Sequence, residues 1–178
     1  MLLPSCFVII PLVGLDNVYK RIQTAWKTVF GKKAKVFNQN DDSNKGGREL
    51  IDTKILKNIR NSTAVVAVLS MGTKERDLYN TIDEKDRAKT FEKVFPFNVN
   101  VALETGYAMR SIDGGESILR EYFLIADDTD KVTAFKFATD HFFDLAHRDI
   151  TPYSESNLDE LERDLVKHFT DFKKRVGL

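Results

Sequence analysis

The sequence predicts an α/β protein in which helices cover both faces of a mainly parallel sheet. Two observations carry this prediction. Short apolar runs such as Cys6–Ile10 and Ala64–Leu69 contain no charge, as strands buried on both faces do. Amphipathic helical patterns alternate with these runs, which is typical of parallel strands joined by right-handed crossovers. We therefore expect a flavodoxin-like three-layer sandwich with a five-stranded sheet in the order 2-1-3-4-5.

The first strand and the first helix are expected at the start of the chain. The apolar run Cys6–Ile10 forms the strand and ends at Pro11. Asp16 is placed to cap a helix over residues 17–30, where apolar residues recur at helical spacing. Gly31 then ends this helix. In the predicted sheet, the connection from Pro11 to Asp16 lies at the carboxyl edge of the strands, where ligands bind.

Residues 35–69 supply the second strand, a loop, the second helix and the third strand. Lys35–Phe37 is a short strand. The polar loop 38–47 follows it at the carboxyl edge, where it either binds a ligand or is simply solvated. Residues 48–60 carry a helical apolar stripe. Ala64–Leu69 is uncharged and rich in β-branched residues, so we place this strand at the centre of the sheet.

The second half of the chain begins with a segment dense in charge, residues 72–95, which we predict to form one or two short helices on the surface. A helix follows from about residue 98 to residue 110, and a fourth strand is expected at residues 122–126. Phe142–Leu145 is a candidate edge strand. Residues 158–176 show the clearest amphipathic pattern of the chain and form the last predicted helix.

Length, composition and charge exclude several classes of protein. The 178 residues suit a single domain, residues 1–178, with a sizeable core. Lys plus Arg and Asp plus Glu number 27 each, so no net charge favours nucleic acid or a membrane as a partner. No apolar run is long enough to span a bilayer. The single cysteine, Cys6, cannot form an internal disulfide, which fits a cytoplasmic location.

Three acids, Asp127, Asp128 and Asp130, follow the predicted fourth strand. They either hold a metal ion or form a solvated turn. Since no His or Cys ligand spacing lies nearby, we predict no metal site.

The stretch that begins at Asn98 has the clearest potential for chemistry. Asn98 or Asn100 suits the N-cap of a helix, and on that helix Asn100, Glu104 and Tyr107 share one face. Gly106 lies inside the same helix, where it costs about 1 kcal/mol relative to alanine, so close packing or the approach of a ligand should require it. Alternatively, Glu104 is an ordinary surface acid that the helix dipole favours.

Several blocks of the chain resemble one superfamily. It joins Toll/interleukin-1 receptor (TIR) domains, particularly the bacterial TIR-like nucleotide-binding proteins, with the nucleoside 2-deoxyribosyltransferases. The segment Asn98-x-Asn100-Val101-x-x-Glu104-x-Gly106-x-Ala108 resembles its catalytic segment at every fixed position. The weaker similarities are Cys6–Leu12 with Asp16–Tyr19, the run 51–69, and Asp144-Leu145 with Tyr153. The resemblance spans nearly the whole chain.

The resemblance implies that Glu104 attacks or stabilises C1′ of a ribose while an N-glycosidic bond breaks. It further implies that Asn100 binds ribose hydroxyls and that Tyr107 packs against the sugar or base. NAD would be a substrate and no cofactor is implied, while homo-oligomers and a role in bacterial antiviral defence are expected. The other substrate-binding residues that it implies are Pro11, Leu12, Asp16, Asn98 and Gly106.

Two departures from the superfamily keep alternatives open. Many relatives carry an Asp near the end of the third strand, where this chain has Val68 or a residue close to it, so transferase activity is not favoured. Relatives usually pass quickly from the third strand to the Asn-rich motif, whereas here the charged insertion at about 72–95 intervenes. It is a lid, an assembly surface or an idle insertion. The leading interpretation is an enzyme that hydrolyses or cyclises NAD. The alternatives are a module that binds a nucleotide signal or assembles with other TIR domains, and a deoxyribosyltransferase or nucleotide hydrolase.

Overall fold

The computed structural model describes residues 3–11, 14–39, 51–70, 81–83, 86, 99–113, 118–128 and 149–178. Within these residues, strands and helices alternate along the chain. In order they are β1 (Ser5–Ile9), α1 (Asp16–Phe30), β2 (Lys35–Asn38), α2 (Ile51–Arg60), β3 (Ala64–Leu69), α3 (Val99–Asp113), β4 (Glu121–Asp127), β5 (Ile150–Tyr153) and α4 (Leu158–Val176).

The sheet has the predicted order, β2-β1-β3-β4-β5, and all neighbouring strands are parallel. Phe7 in β1 is aligned with Phe37 on one side and with Val65 on the other. All 6 residues of β3 are buried, as expected for the strand at the centre. The flavodoxin-like layout predicted from the sequence is therefore confirmed.

Alternate side chains of each strand point to opposite faces of the sheet, and two helices cover each face. One face packs against α1 and α4, where Trp26, Phe169 and Phe172 have no exposed surface. The other face packs against α2 and α3, where Ile59 and Ala108 are fully buried. Removing one large apolar side chain from water contributes about 1.5–3 kcal/mol, so both helical layers stabilise the sheet.

The two ends of α1 test the predicted capping residues. Leu15 occupies the N-cap and no side chain caps this end, so the prediction that Asp16 is the cap is wrong. Asp16 is instead the first helical residue, where the helix dipole favours an acid. Gly31 ends the helix as predicted, with φ 91° and ψ 160°, and its N–H donates to the carbonyl of Lys27.

The fifth strand of the described sheet was not predicted from the sequence. β5 consists of Ile150–Tyr153, whereas Phe142–Leu145 lies outside the described residues, as does most of the charged segment 72–95. β5 is short and contains Pro152, so its sequence pattern is weak, and its pairing with β4 is what defines it. In the described part of the chain, no helix is both long and apolar enough to cross a membrane.

Candidate functional site

The topology places a switch point between β1 and β3, which are neighbours in the sheet. The chain leaves β1 for α1 on one face, whereas α3, which comes after β3, packs on the other face. Helices that diverge in this way leave a crevice at the carboxyl ends of their strands, and ligands of open α/β sheets bind there. A ligand site is therefore expected at this edge of the sheet.

The end of β1 is held in a defined position at this edge. Ile10 and Pro11, which follow the strand, are both buried. The side-chain amide of Gln39 donates a hydrogen bond to the carbonyl oxygen of Ile10 at 2.7 Å. Gly14 has φ 91°, a left-handed conformation that favours glycine, just before α1 begins. The connection from β1 to α1 thus has a fixed start and a specific turn at its end.

The rotation of α3 about its axis decides which of its side chains are accessible. Helix α3 contacts β1, β3 and β4, and Val101, Thr105 and Ala108 are buried on its inner side. The Thr105 hydroxyl donates to the carbonyl of Val101 at 2.6 Å, so this buried polar group is satisfied within the helix. Leu103 and Gly106 are exposed on the outer side.

Glu104 and Tyr107 lie on one flank of α3, between its buried and exposed sides, and both are half-buried. Asn100, one turn earlier, is exposed on the same flank, as the spacing predicts. Glu104 lies in the second turn, and the first turn contains no acid. Because the helix dipole acts mainly within the first turn, it accounts poorly for an acid at this position.

Gly106 does not join this flank. It is two residues beyond Glu104, which places it about 200° around the helix, and it is exposed. Apart from the backbone of its own helix and its chain neighbours, no atom of the described residues lies within 4 Å of a Cβ built at this position. Close packing within the described residues therefore does not explain the glycine.

Of the other predicted site residues, three lie in the described part of the chain and two lie outside it. Pro11 is buried at the end of β1, and Asp16 is exposed in the first turn of α1. Asn100 is inside α3, so it is not the N-cap, and Asn98 and Leu12 lie outside the described residues. The structure thus places the start of the β1–α1 connection at the switch point, and it places α3, which carries the polar flank, on the face of the sheet opposite α1.

Three polar side chains at the carboxyl edge are buried, which was not predicted from the sequence. Asn38 ends β2, Ser70 follows β3, and Asp127 ends β4, and all three are buried. Asp127 is aligned with Tyr153, the last residue of β5. The sequence feature that could have indicated these residues is a polar residue at the last position of an apolar strand or just after it. Across the described ranges, no three His, Cys, Asp or Glu residues are grouped so that they could hold a metal ion.

A shallow cavity of about 350 Å³ lies between the first turns of α1 and α4. Within it, Arg21 forms ion pairs with Asp159 at 2.7 Å and with Glu162 at 2.8 Å. Because these opposite charges pair with one another, we interpret the cavity as part of the contact between the two helices and not as a ligand site.

No protein-family model, curated protein or solved structure matches this chain. The function of the site therefore has to follow from its residues and its place in the fold.

Proposed function

We propose that this protein is an N-glycosidase that cleaves NAD between the ribose and the nicotinamide, with Glu104 as the catalytic carboxylate. The observation that carries the proposal is the setting of Glu104. It is half-buried on the polar flank of α3, and this helix packs over the strands of the switch point. A half-buried acid is accessible to a ligand and partly shielded from water, which strengthens its interaction with a developing positive charge.

The reaction requires negative charge beside C1′ of the ribose. When the C1′–N bond of NAD breaks, its electron pair leaves with nicotinamide, which departs as a neutral base. The sugar becomes oxocarbenium-like, and Glu104 would stabilise or trap that cation. Water then adds to C1′ and loses a proton, which gives ADP-ribose and nicotinamide. Attack by another atom of the same nucleotide would give a cyclic product instead.

Because the leaving base is neutral, the bond can break without a strong general acid. One well-placed carboxylate is then sufficient for the chemical step. We assign the neighbouring side chains to binding: Asn100 to the ribose hydroxyls, and Tyr107 to packing against the sugar or base. Pro11 and Asp16, from the β1–α1 connection, would bound the ligand on the other side of the switch point.

A deoxyribosyltransferase is less well supported for the same fold. The transferases that the chain resembles use a carboxylate near the end of the third strand to help handle the base. Here Val68, which lies at or close to the matching position, has no exposed surface and packs in the core beneath α1 and α4. An apolar, fully buried side chain cannot exchange protons with a base.

A second candidate function is contact with another protein, and the exposure of Leu103 favours it. Leu103 is 69% exposed on the outer side of α3. A large apolar side chain in this position would suit assembly with a second TIR-like domain. In that case the crevice would bind a nucleotide without cleaving it, and Glu104 would have no catalytic role.

The test is incubation of the purified protein with NAD and, separately, with a deoxynucleoside and a second free base. Product chromatography then separates the candidates. A glycosidase releases nicotinamide from NAD, a transferase forms a new deoxynucleoside, and a binding module changes neither mixture.

Glu104→Gln shows whether the activity depends on this carboxylate. The substitution keeps the volume of the side chain and removes its charge, so nicotinamide release should fall by ~10²-fold or more. Glu121→Gln is the matched control, because Glu121 begins β4 at the opposite edge of the sheet and pairs with Arg175 at 2.7 Å. Wild-type turnover by Glu104→Gln would exclude Glu104 as the catalytic acid.

A further inference from the structure

The hydrogen bond from Gln39 to Ile10 begins where the ladder between β1 and β2 ends. β2 stops at Asn38, whose register partner in β1 is Val8. The main-chain pairing of these strands therefore ends before β1 reaches the carboxyl edge. The side-chain amide of Gln39 reaches past that point and donates to the carbonyl oxygen of Ile10 at 2.7 Å.

The carbonyl oxygen of Ile10 needs a hydrogen-bond donor because Ile10 is buried. Ile10 is 3% exposed, and a buried carbonyl that loses its donor destabilises the structure around it. The next residue, Pro11, has no N–H and cannot donate a main-chain hydrogen bond to a neighbouring strand. The bond from Gln39 therefore holds the last part of β1 before the chain turns toward α1.

We propose that Gln39 is a positioning residue for the nucleotide site and acts through Ile10 and Pro11. This inference rests on the proposed function, because it assumes that the β1–α1 connection bounds the ligand. Gln39 follows β2, whereas Glu104 is on α3. Loss of the amide should therefore weaken nucleotide binding and leave the chemical step at Glu104 largely unchanged.

Two variants and one control test the inference. Gln39→Leu removes the donor, and Gln39→Glu replaces the amide with an isosteric carboxylate that cannot donate at neutral pH. The control is Lys173→Met. Lys173 Nζ also donates to a main-chain carbonyl, that of Val29, at 2.9 Å, but near the end of α1, away from the carboxyl edge.

The first measurement is steady-state release of nicotinamide. Gln39→Leu should raise KM for NAD by about three- to tenfold, the size expected for one hydrogen bond, with kcat unchanged. In Gln39→Glu, the deficit relative to the wild type should shrink as the pH falls below about 5, because the protonated acid can donate again. A merely structural contact would show neither the separation of KM from kcat nor the recovery in acid.

The second measurement is hydrogen exchange of the peptide Ile9–Val18, which needs no nucleotide. Faster exchange in Gln39→Leu but not in Lys173→Met, together with the rise in KM, supports the proposal. Unchanged exchange overturns it, and so does faster exchange with an unchanged KM in an active enzyme. If the wild type releases no nicotinamide, the proposed function fails, and the exchange result still decides whether Gln39 holds the end of β1.

Discussion

Replacement of Gly106 by alanine should stabilise the protein. Gly106 lies in the middle of α3, where glycine is about 1 kcal/mol less favourable than alanine. Its φ is not positive, and apart from its own helix backbone and chain neighbours no atom of the described residues lies within 4 Å of the added methyl carbon. Among these residues alanine therefore meets neither backbone strain nor a clash. The free energy of unfolding should therefore rise by up to about 1 kcal/mol.

Gly31→Ala is the matched control, and it should have the opposite sign. The space around Gly31 is equally open, since apart from its chain neighbours no atom in the described part of the chain lies within 4 Å of a Cβ built there. Its φ of 91° and ψ of 160°, however, belong to a region that only glycine adopts readily. An alanine forced into that conformation should lower the free energy of unfolding by about 1–3 kcal/mol.

Thermal unfolding followed by circular dichroism measures both effects. In a chain of this size, 1 kcal/mol shifts Tm by about 2–4 °C, so Gly106→Ala should melt above the wild type and Gly31→Ala below it. A lower Tm for Gly106→Ala would refute the reasoning. We expect this variant to keep its NAD turnover, because Gly106 and Glu104 lie on different sides of α3. Lost turnover in a more stable protein would show that a ligand uses the space beside Gly106.

Two further predictions concern the core. Phe169 is fully buried, with its ring 5.0 Å from those of both Trp26 and Phe123, so Phe169→Ala should lower the free energy of unfolding by about 3–5 kcal/mol. A loss below about 1 kcal/mol in urea unfolding would contradict the packing of α4. Burial raises the pKa of the Cys6 thiol, whereas the unfolded thiol ionises near pH 8.5. The contribution of the buried Cys6 to the free energy of unfolding is therefore complete below that pH. Above that pH this contribution should fall by about 1.4 kcal/mol per pH unit. Urea unfolding between pH 7 and 10 should show this dependence of the free energy of unfolding on pH in the wild type and a weaker one in Cys6→Ala. Equal slopes would show that Cys6 does not cause the loss.

The sequence by itself was sufficient to predict the layers, the parallel sheet and the strand order. Ala64–Leu69 shows why: an uncharged run rich in β-branched residues fits best as a strand buried on both faces. The apolar residues of α4 recur at helical spacing over its whole length, which leaves no doubt about its type. The common flank of Asn100, Glu104 and Tyr107 was also predictable, because positions around a single helix follow from spacing alone.

The tertiary structure decided the features that depend on contacts between distant segments. Ile150–Tyr153 is too short to show a clear period, and it is a strand because β4 lies beside it. The packing of α3 on the sheet turned Gly106 outward, away from the flank of Glu104. Ser70 and Asp127 are likewise buried at the carboxyl edge, where Asp127 is aligned with Tyr153 of β5. Spacing along the chain describes one element at a time, whereas burial and strand pairing depend on which other elements pack against it.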